Sequence, residues 1–157
     1  MKRFWLSVVM LLAITTIALA AVNSVEAPEK CKNCGMDRTF FAQSRMVVTY
    51  SDDSSGICSI NCAVVDMQAN REKTVTSLQV GDYDTRKLID AKTAVWVIGG
   101  KKRGVMTAVP KWAFADRKRA QKFIKMNGGN QATLDEVVKA TEKELEELEK
   151  EKRQSLE

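Results

Sequence analysis

The chain has 157 residues, a formal net charge of +5 and no histidine, and 45% of its residues are hydrophobic. This length can bury a modest core, in one compact unit or in two small ones. The basic residues are scattered without interleaved aromatic residues, so nucleic acid is not the expected partner. The sequence also has no phosphate loop, dinucleotide fingerprint or Ser-His-Asp arrangement, and we therefore expect a protein that is not an enzyme.

The first 20 residues have the composition of a secretory signal peptide. Lys2 and Arg3 precede an apolar run over residues 4–18, and Ala18-Leu19-Ala20 offers a small-x-small cleavage site. The run is shorter than the roughly 20 apolar residues that span a bilayer comfortably. We therefore expect cleavage after Ala20, an exported or periplasmic protein, and no integral membrane span in the mature chain. An uncleaved anchor helix is the alternative.

The first half of the mature chain shows the patterns of a small mixed domain. Residues 21–30 are polar, contain a proline and are predicted to be a flexible lead. Farther along, β-branched and aromatic residues predict strands, and apolar residues at helical spacing predict a helix that Ser59 caps. In chain order, the predicted elements are a strand at 45–50, a turn at 51–56, a short return strand at 57–59, a helix at 60–70 and a strand at 75–80.

The second half repeats this order of elements. Residues 93–98 are the most strand-like segment of the sequence, and Asp116 is placed to cap a helix that closes at Asn127-Gly128-Gly129. Thr133 and Glu136 have the spacing of a capping box, which opens a final helix through about residue 152. Residues 105–107 and 112–115 come between the first strand and the capped helix, and residues 131–132 form a last short strand.

Together these patterns predict an α+β fold of two similar small ββαβ modules followed by a C-terminal amphipathic helix. No residue-level identity links the two modules, so their similarity rests on the order of elements. The predicted organisation is a signal peptide at 1–20, a flexible lead at 21–30, a first module with the four cysteines at 31–85, a second module at 86–133 and a charged helix at 134–157.

The chemistry of the chain is predicted to lie at four cysteines, in the spacings Cys31-x2-Cys34 and Cys58-x3-Cys62. Gly35 permits a tight turn in which both sulfurs of the first pair point the same way. Cys62 falls in the first turn of the predicted helix, where the free amide groups favour a thiolate. Thiolate is the form that binds metal, so the two pairs are candidate metal ligands.

The choice of metal follows from the donor atoms. Four sulfurs without an imidazole select a thiophilic ion, and Cu(I) is the first candidate, with Zn(II) as the second. Met36 lies two residues beyond the first cysteine pair, and Met106 lies in the second half of the chain. Both are candidate thioether ligands, and core packing is the other explanation for each of them.

Two other interpretations of the cysteines stay open. Export places the thiols where disulfides form, so Cys31 and Cys34 are also candidates for a thiol-disulfide redox protein. Alternatively, the cysteines have a purely structural role, in which disulfides or a zinc ion held by all four of them would stabilise a small fold. The x3 spacing of the second pair is unusual for such a zinc site.

Four segments, in order along the chain, resemble the sequence pattern of the NosL family, the accessory proteins of nitrous oxide reductase. The second pair, Cys58 and Cys62, is not part of that pattern, and the signal lacks the lipid-bearing cysteine that is common in the family. The segments are CKNCGM at 31–36, LIDA and AVWVIG within 88–99, GVM at 104–106, and WAFA with a later Gly-Gly within 112–129.

The resemblance implies a role and a fold. Family members are thought to hold Cu(I) outside the cytoplasm and to deliver it to the copper sites of the reductase. Their fold has two similar ββαβ modules, an arrangement also associated with organomercurial lyase. The match points to Cys31, Cys34, Met36 and Met106. We therefore predict an exported soft-metal-binding protein whose partner is a metal-receiving client, either a copper reductase or its assembly machinery.

Overall fold

The computed structural model of the protein describes Glu26 and residues 28–156. The predicted signal peptide and most of the predicted lead lie outside the described residues. Within the described part of the chain, no helix is both long and apolar enough to cross a membrane.

Two antiparallel sheets and three helices make up the described chain, which confirms the predicted α+β class and the C-terminal helix. The elements, in order, are β1 (Met46–Tyr50), β2 (Ser54–Ile57), α1 (Ile60–Ala69), β3 (Val75–Gly81), β4 (Leu88–Asp90), β5 (Val95–Ile98), β6 (Lys111–Phe114), α2 (Arg117–Asn127), β7 (Asn130–Ala132) and α3 (Leu134–Gln154).

The first sheet has the strand order β2-β1-β3-β4. Its central strand β1 buries every second residue, namely Met46, Val48 and Tyr50, because successive side chains of a strand point to opposite faces. Helix α1 contacts β1 and β2, and its residues Ala63 and Val64 are buried. Burial of each large aliphatic side chain stabilises the fold by roughly 1.5–3 kcal/mol. Sheet and helix therefore form a rigid support for the residues that follow β2.

The second sheet repeats the topology of the first. Its order is β6-β5-β7, which corresponds to β2-β1-β3, and α2 follows β6 as α1 follows β2. The side chain of Asp116 caps α2 by accepting hydrogen bonds from the N–H groups of Lys118 and Arg119. On the inner side of this helix, the ring of Phe123 packs against Phe114 of β6 and against Tyr83. The repeated order agrees with the predicted ββαβ arrangement.

A buried carboxylate ties the two sheets together. Asp82 is fully buried and accepts hydrogen bonds from the N–H groups of Ala115, at 2.7 Å, and Thr85, at 2.8 Å. Arg119 Nη1 lies 3.2 Å from Asp82 Oδ1. Burial alone would raise the pKa of Asp82, but these hydrogen bonds and the nearby guanidinium lower it. The turn after β3 is therefore anchored by charge to the second sheet.

Helix α3 begins at the predicted capping box. The N–H of Thr133 donates to Glu136 Oε2 at 2.7 Å, and the N–H of Glu136 donates to Thr133 Oγ1 at 3.3 Å. The first turns of α3 bury Val137 and Thr141, whereas Leu148 near its end is half exposed. The helix contacts both α1 and β5, so it spans the two modules.

Two details differ from the sequence-based expectations. Ser59 occupies the N-cap position of α1 but makes no side-chain capping hydrogen bond. Strand β4 pairs with β3 in the first sheet, since a short turn after β3 returns the chain directly, although it falls within the segment 86–133 assigned from sequence to the second module.

Candidate metal centre

The fold brings the four cysteines into one cluster. Their Sγ atoms all lie within 4.8 Å of one another. Cys31 and Cys34 belong to the loop that precedes β1, Cys58 directly follows β2, and Cys62 lies in the first turn of α1. The side chains of Cys31, Cys58 and Cys62 are buried, whereas Cys34 is exposed. The cluster therefore has three buried thiols and one at the protein surface.

A tight turn orients the first cysteine pair. The N–H of Cys31 donates to the carbonyl oxygen of Met36 at 2.8 Å, and the N–H of Gly35 donates to the carbonyl oxygen of Cys31 at 2.9 Å. Gly35 has a φ of 73°, in the left-handed region that glycine adopts without strain. The predicted role of Gly35 in turning the Cys-x2-Cys segment is therefore observed.

Polar contacts attach this loop to the second cysteine segment. Asn33 Nδ2 donates to the carbonyl oxygen of Cys62 at 2.6 Å. The N–H of Lys32 donates to the carbonyl oxygen of Gly56 at 3.0 Å. In addition, Lys32 Nζ donates to Ser55 Oγ at 2.9 Å and lies 3.7 Å from Asp66 Oδ1 on α1. These bonds hold the loop against both β2 and α1.

A fully buried arginine, Arg38, stabilises the backbone next to the second cysteine pair. Arg38 Nε donates to the carbonyl oxygen of Ile57, and Arg38 Nη2 donates to that of Met46 at 3.1 Å. The guanidinium also binds the carboxylate of Glu26. Ile57 immediately precedes Cys58, so Arg38 fixes the strand end from which the second pair begins. Nothing in the sequence pattern around Arg38 indicated that this charge is buried.

The thiols of the cluster differ in their pKa values. A hydrogen bond between Cys58 Sγ and Cys62 Sγ, 3.6 Å apart, lowers the pKa of Cys58 to about 6 in spite of burial. The same bond and burial raise the pKa of Cys62. Partial burial, together with the thiol of Cys58 at 3.5 Å, raises the pKa of Cys34 to about 11. Of the three thiols, Cys58 is therefore the one whose surroundings favour the thiolate form.

The two candidate methionines lie in different places. Met36 follows the cysteine loop and packs, partly buried, against the core. Met106 lies in the loop between β5 and β6, where it is half exposed and has a φ of 56°. It borders a groove of about 650 Å³ between that loop and α3. The structure thus gathers the four cysteines, while the assignment of both methionines as ligands stays a prediction.

A buried ion pair, formed by Lys111 and Glu144, connects the loop that contains Met106 with helix α1, which carries Cys62. Glu144 Oε2 of α3 lies 2.6 Å from Lys111 Nζ, and both side chains are largely buried. Glu144 also accepts hydrogen bonds from Thr107 and from the N–H of Ala108. The amide of Asn61, next to Cys62, lies 3.5 Å from the same carboxylate. Sequence reasoning missed this network, because Glu144 sits in a Glu- and Lys-rich helix that looked mostly solvated.

Comparison with known proteins places this geometry in a family. The sequence model of the NosL family matches residues 21–141. The fold is similar to the crystal structure of the copper chaperone NosL from Shewanella denitrificans, with a TM-score of 0.56 and 21% sequence identity over 73% of this chain and 93% of that one. No curated protein sequence matches significantly. Since the family match covers most of the chain, the protein belongs to the NosL family.

Proposed function

We propose that this protein binds Cu(I) outside the cytoplasm and passes it to a client protein. The observation that carries the proposal is the cluster of four free cysteines whose Sγ atoms lie within 4.8 Å of one another. The similar structure from Shewanella denitrificans is described as a copper chaperone, which supports the same cargo for this chain. The signal-like N-terminus supports export.

The donor set fits a soft ion. Thiolates bind Cu(I) strongly, whereas hard ions prefer oxygen ligands. The chain contains no histidine, so sulfur is the only soft donor that the site can offer. The lowered pKa of Cys58 favours its thiolate form, and binding of the ion would displace protons from the other thiols.

Burial of three thiols favours retention of the ion. Cys31, Cys58 and Cys62 are 3%, 0% and 5% exposed, so water and oxidants reach them poorly. Cu(I) can be coordinated by two or three sulfur ligands, so the three buried thiols would be enough to bind it. The thioethers of Met36 and Met106 are proposed as further ligands that become important when the ion is exchanged.

The test combines metal analysis with variants of the cluster. We expect protein purified anaerobically to hold Cu(I) against a competing chelator, and replacement of all four cysteines by serine to abolish this binding. Met126→Leu is the matched control, because Met126 is 63% exposed on α2, away from the cysteine segments. Circular dichroism would verify that the serine variant keeps its helices. Unchanged Cu(I) affinity in that variant would refute the proposal.

Structural zinc is the second candidate. Four sulfurs that surround one point, three of them buried, also suit a closed tetrahedral zinc site. In that case the native protein would contain tightly bound zinc, and removal of the metal would unfold the chain instead of leaving a folded protein with reactive thiols. Metal content and the free-thiol count, measured on the same sample, distinguish the two functions.

A further inference from the structure

Among the residues that the structure describes, the cysteine cluster is exposed at one of its four thiols. Cys34 is exposed, whereas the other three thiols are buried. The residue after Cys34 is Gly35, and a Cβ atom added there would meet nothing within 4 Å. Space above the turn is therefore free for a group that approaches Cys34. No comparable opening exists at Cys58, which is 0% exposed and follows directly on the buried end of β2.

We propose that Cys34 is the exchange ligand of the site, the first sulfur to leave the metal when a sulfur donor of the acceptor protein approaches. This inference rests on the proposed function and adds to it the order in which the sulfur ligands leave the metal. The acceptor must present an exposed cysteine or methionine sulfur, since the incoming donor replaces a thiolate on a soft ion. The three buried cysteines hold the ion while the exchange begins.

The surroundings of the other cysteines oppose their leaving first. The backbone of Cys31 is fixed by two hydrogen bonds within the turn, to Met36 and from Gly35. The carbonyl group of Cys62 is held by Asn33, and its side chain is buried in the first turn of α1. Because both sulfurs are buried, neither can leave the cluster without displacing the atoms packed around it, whereas the exposed side chain of Cys34 can rotate towards solvent.

The step is an associative ligand exchange without a change in oxidation state. A copper–sulfur bond to the acceptor forms while the copper–Sγ bond to Cys34 breaks. If the incoming donor is a thiol, its proton passes to the departing Cys34 thiolate, so charge and protons balance. Repetition at the remaining sulfurs would then complete the transfer.

The experiment measures which cysteine becomes reactive first. The full chain is loaded anaerobically with Cu(I), freed of unbound ion and titrated with glutathione as the incoming thiol. A short pulse of iodoacetamide follows, and mass spectrometry with peptide fragmentation determines alkylation at each cysteine. We expect Cys34 to be alkylated at least about tenfold faster than each buried cysteine while copper is still bound, because the buried sulfurs remain on the metal and iodoacetamide reaches the exposed Cys34 from solvent.

Two variants serve as a matched pair. In Cys34→Ser, we expect copper to be retained by the three buried thiols and transfer to glutathione to slow by about tenfold, because the exchange ligand is missing. In Cys31→Ser, which changes the other cysteine of the same turn, Cys34 should remain the first position alkylated. Loss of copper from either variant would leave the wild-type labelling order as the deciding measurement.

The possible failures are distinct. Alkylation of a buried cysteine before Cys34, or simultaneous alkylation of all four as glutathione removes the copper, would overturn the role of Cys34 without refuting the proposal that the untreated protein binds Cu(I). A wild-type chain that retains no Cu(I) after removal of unbound ion would refute the proposed function, and the exchange role with it.

Discussion

Asn33 Nδ2 lies 2.6 Å from the carbonyl oxygen of Cys62, so a side chain of the first cysteine pair holds the backbone of the second. The two residues are 29 positions apart in the chain. Without this contact, the loop would be held near α1 mainly by Lys32, whose contacts lie at Gly56, Ser55 and Asp66. The relative position of the two cysteine pairs therefore depends in part on one amide side chain.

The first prediction concerns this amide. Asn33→Ala should weaken Cu(I) binding about fivefold, since a hydrogen bond of this kind contributes about 1 kcal/mol. The melting temperature should fall by only a few degrees, because Asn33 is exposed and contributes no core packing. Competition with a Cu(I) chelator measures the affinity. Asn130→Ala is the control, at an exposed asparagine of β7, and equal affinities in both variants would contradict the prediction.

The second prediction concerns the buried guanidinium beneath the site. Arg38→Met should lower the free energy of unfolding by about 3–5 kcal/mol, because it leaves buried carbonyl oxygens without their donor and removes one of the two guanidinium groups that bind the Glu26 carboxylate. Chemical denaturation followed by circular dichroism measures the loss. Arg103→Met, at an exposed loop position, should change stability by less than about 0.5 kcal/mol. An equally small loss of stability in Arg38→Met would show that the buried hydrogen bonds of Arg38 make no net contribution to the free energy of unfolding.

Local patterns predicted the parts of this protein that depend on neighbouring residues. The alternation in β1, the capping residues Asp116 and Thr133, and the turn at Gly35 all follow from interactions within a few positions of the chain. The two cysteine pairs were identified for the same reason, since each has its own short spacing. To predict that the two pairs come together in space, it was enough to assume that both face the same side of the fold.

The parts that the sequence left unpredicted depend on distant partners. Arg38 and Glu144 look like ordinary surface charges, yet each is buried against groups from other elements. Asp82 lies in a turn, yet it is buried and accepts a hydrogen bond from a backbone amide 33 positions away. A hydropathy pattern assigns a charge to the surface by default, because it contains no information about which distant donors will satisfy it.

The third prediction concerns the ion pair of Glu144 and Lys111. Burial alone would raise the pKa of Glu144, but the bonds from Lys111, Thr107 and Ala108 lower it to about 2. A carboxyl group whose pKa is lower in the folded state than the unfolded value of 4.5 adds stability above that value. This contribution should be complete above about pH 4.5 and should be lost as the pH falls towards 2.

Glu144→Gln tests this linkage. At pH 7 the variant should be less stable by about 1–3 kcal/mol, because buried Lys111 loses its counter-charge. The difference from wild type should shrink between pH 4.5 and pH 2, as the native carboxylate becomes protonated. Urea denaturation over this pH range measures both quantities. The control is Glu147→Gln, whose side chain is 59% exposed, and a difference that is constant with pH would contradict the assignment.

The fourth prediction compares two glycines of the site. Gly35→Ala meets no steric obstacle, so its cost is that of a non-glycine residue at a φ of 73°, about 1–2 kcal/mol. Gly56→Ala has an ordinary backbone, but its Cβ would lie 2.7 Å from Arg38 Nη1 and from Pro28 Cδ. Because Arg38 is held by several buried bonds, it cannot yield without breaking them.

We therefore expect Gly56→Ala to lose more stability than Gly35→Ala, by roughly 1–3 kcal/mol of overpacking plus the weakened bonds of Arg38. The combination Gly56→Ala with Arg38→Met should be less destabilising than the sum of the two single changes, because removal of the guanidinium provides the space that the new methyl group needs. Denaturant unfolding of the four proteins completes this double-mutant cycle. Strict additivity would mean that the close approach of Gly56 to Arg38 has no energetic consequence.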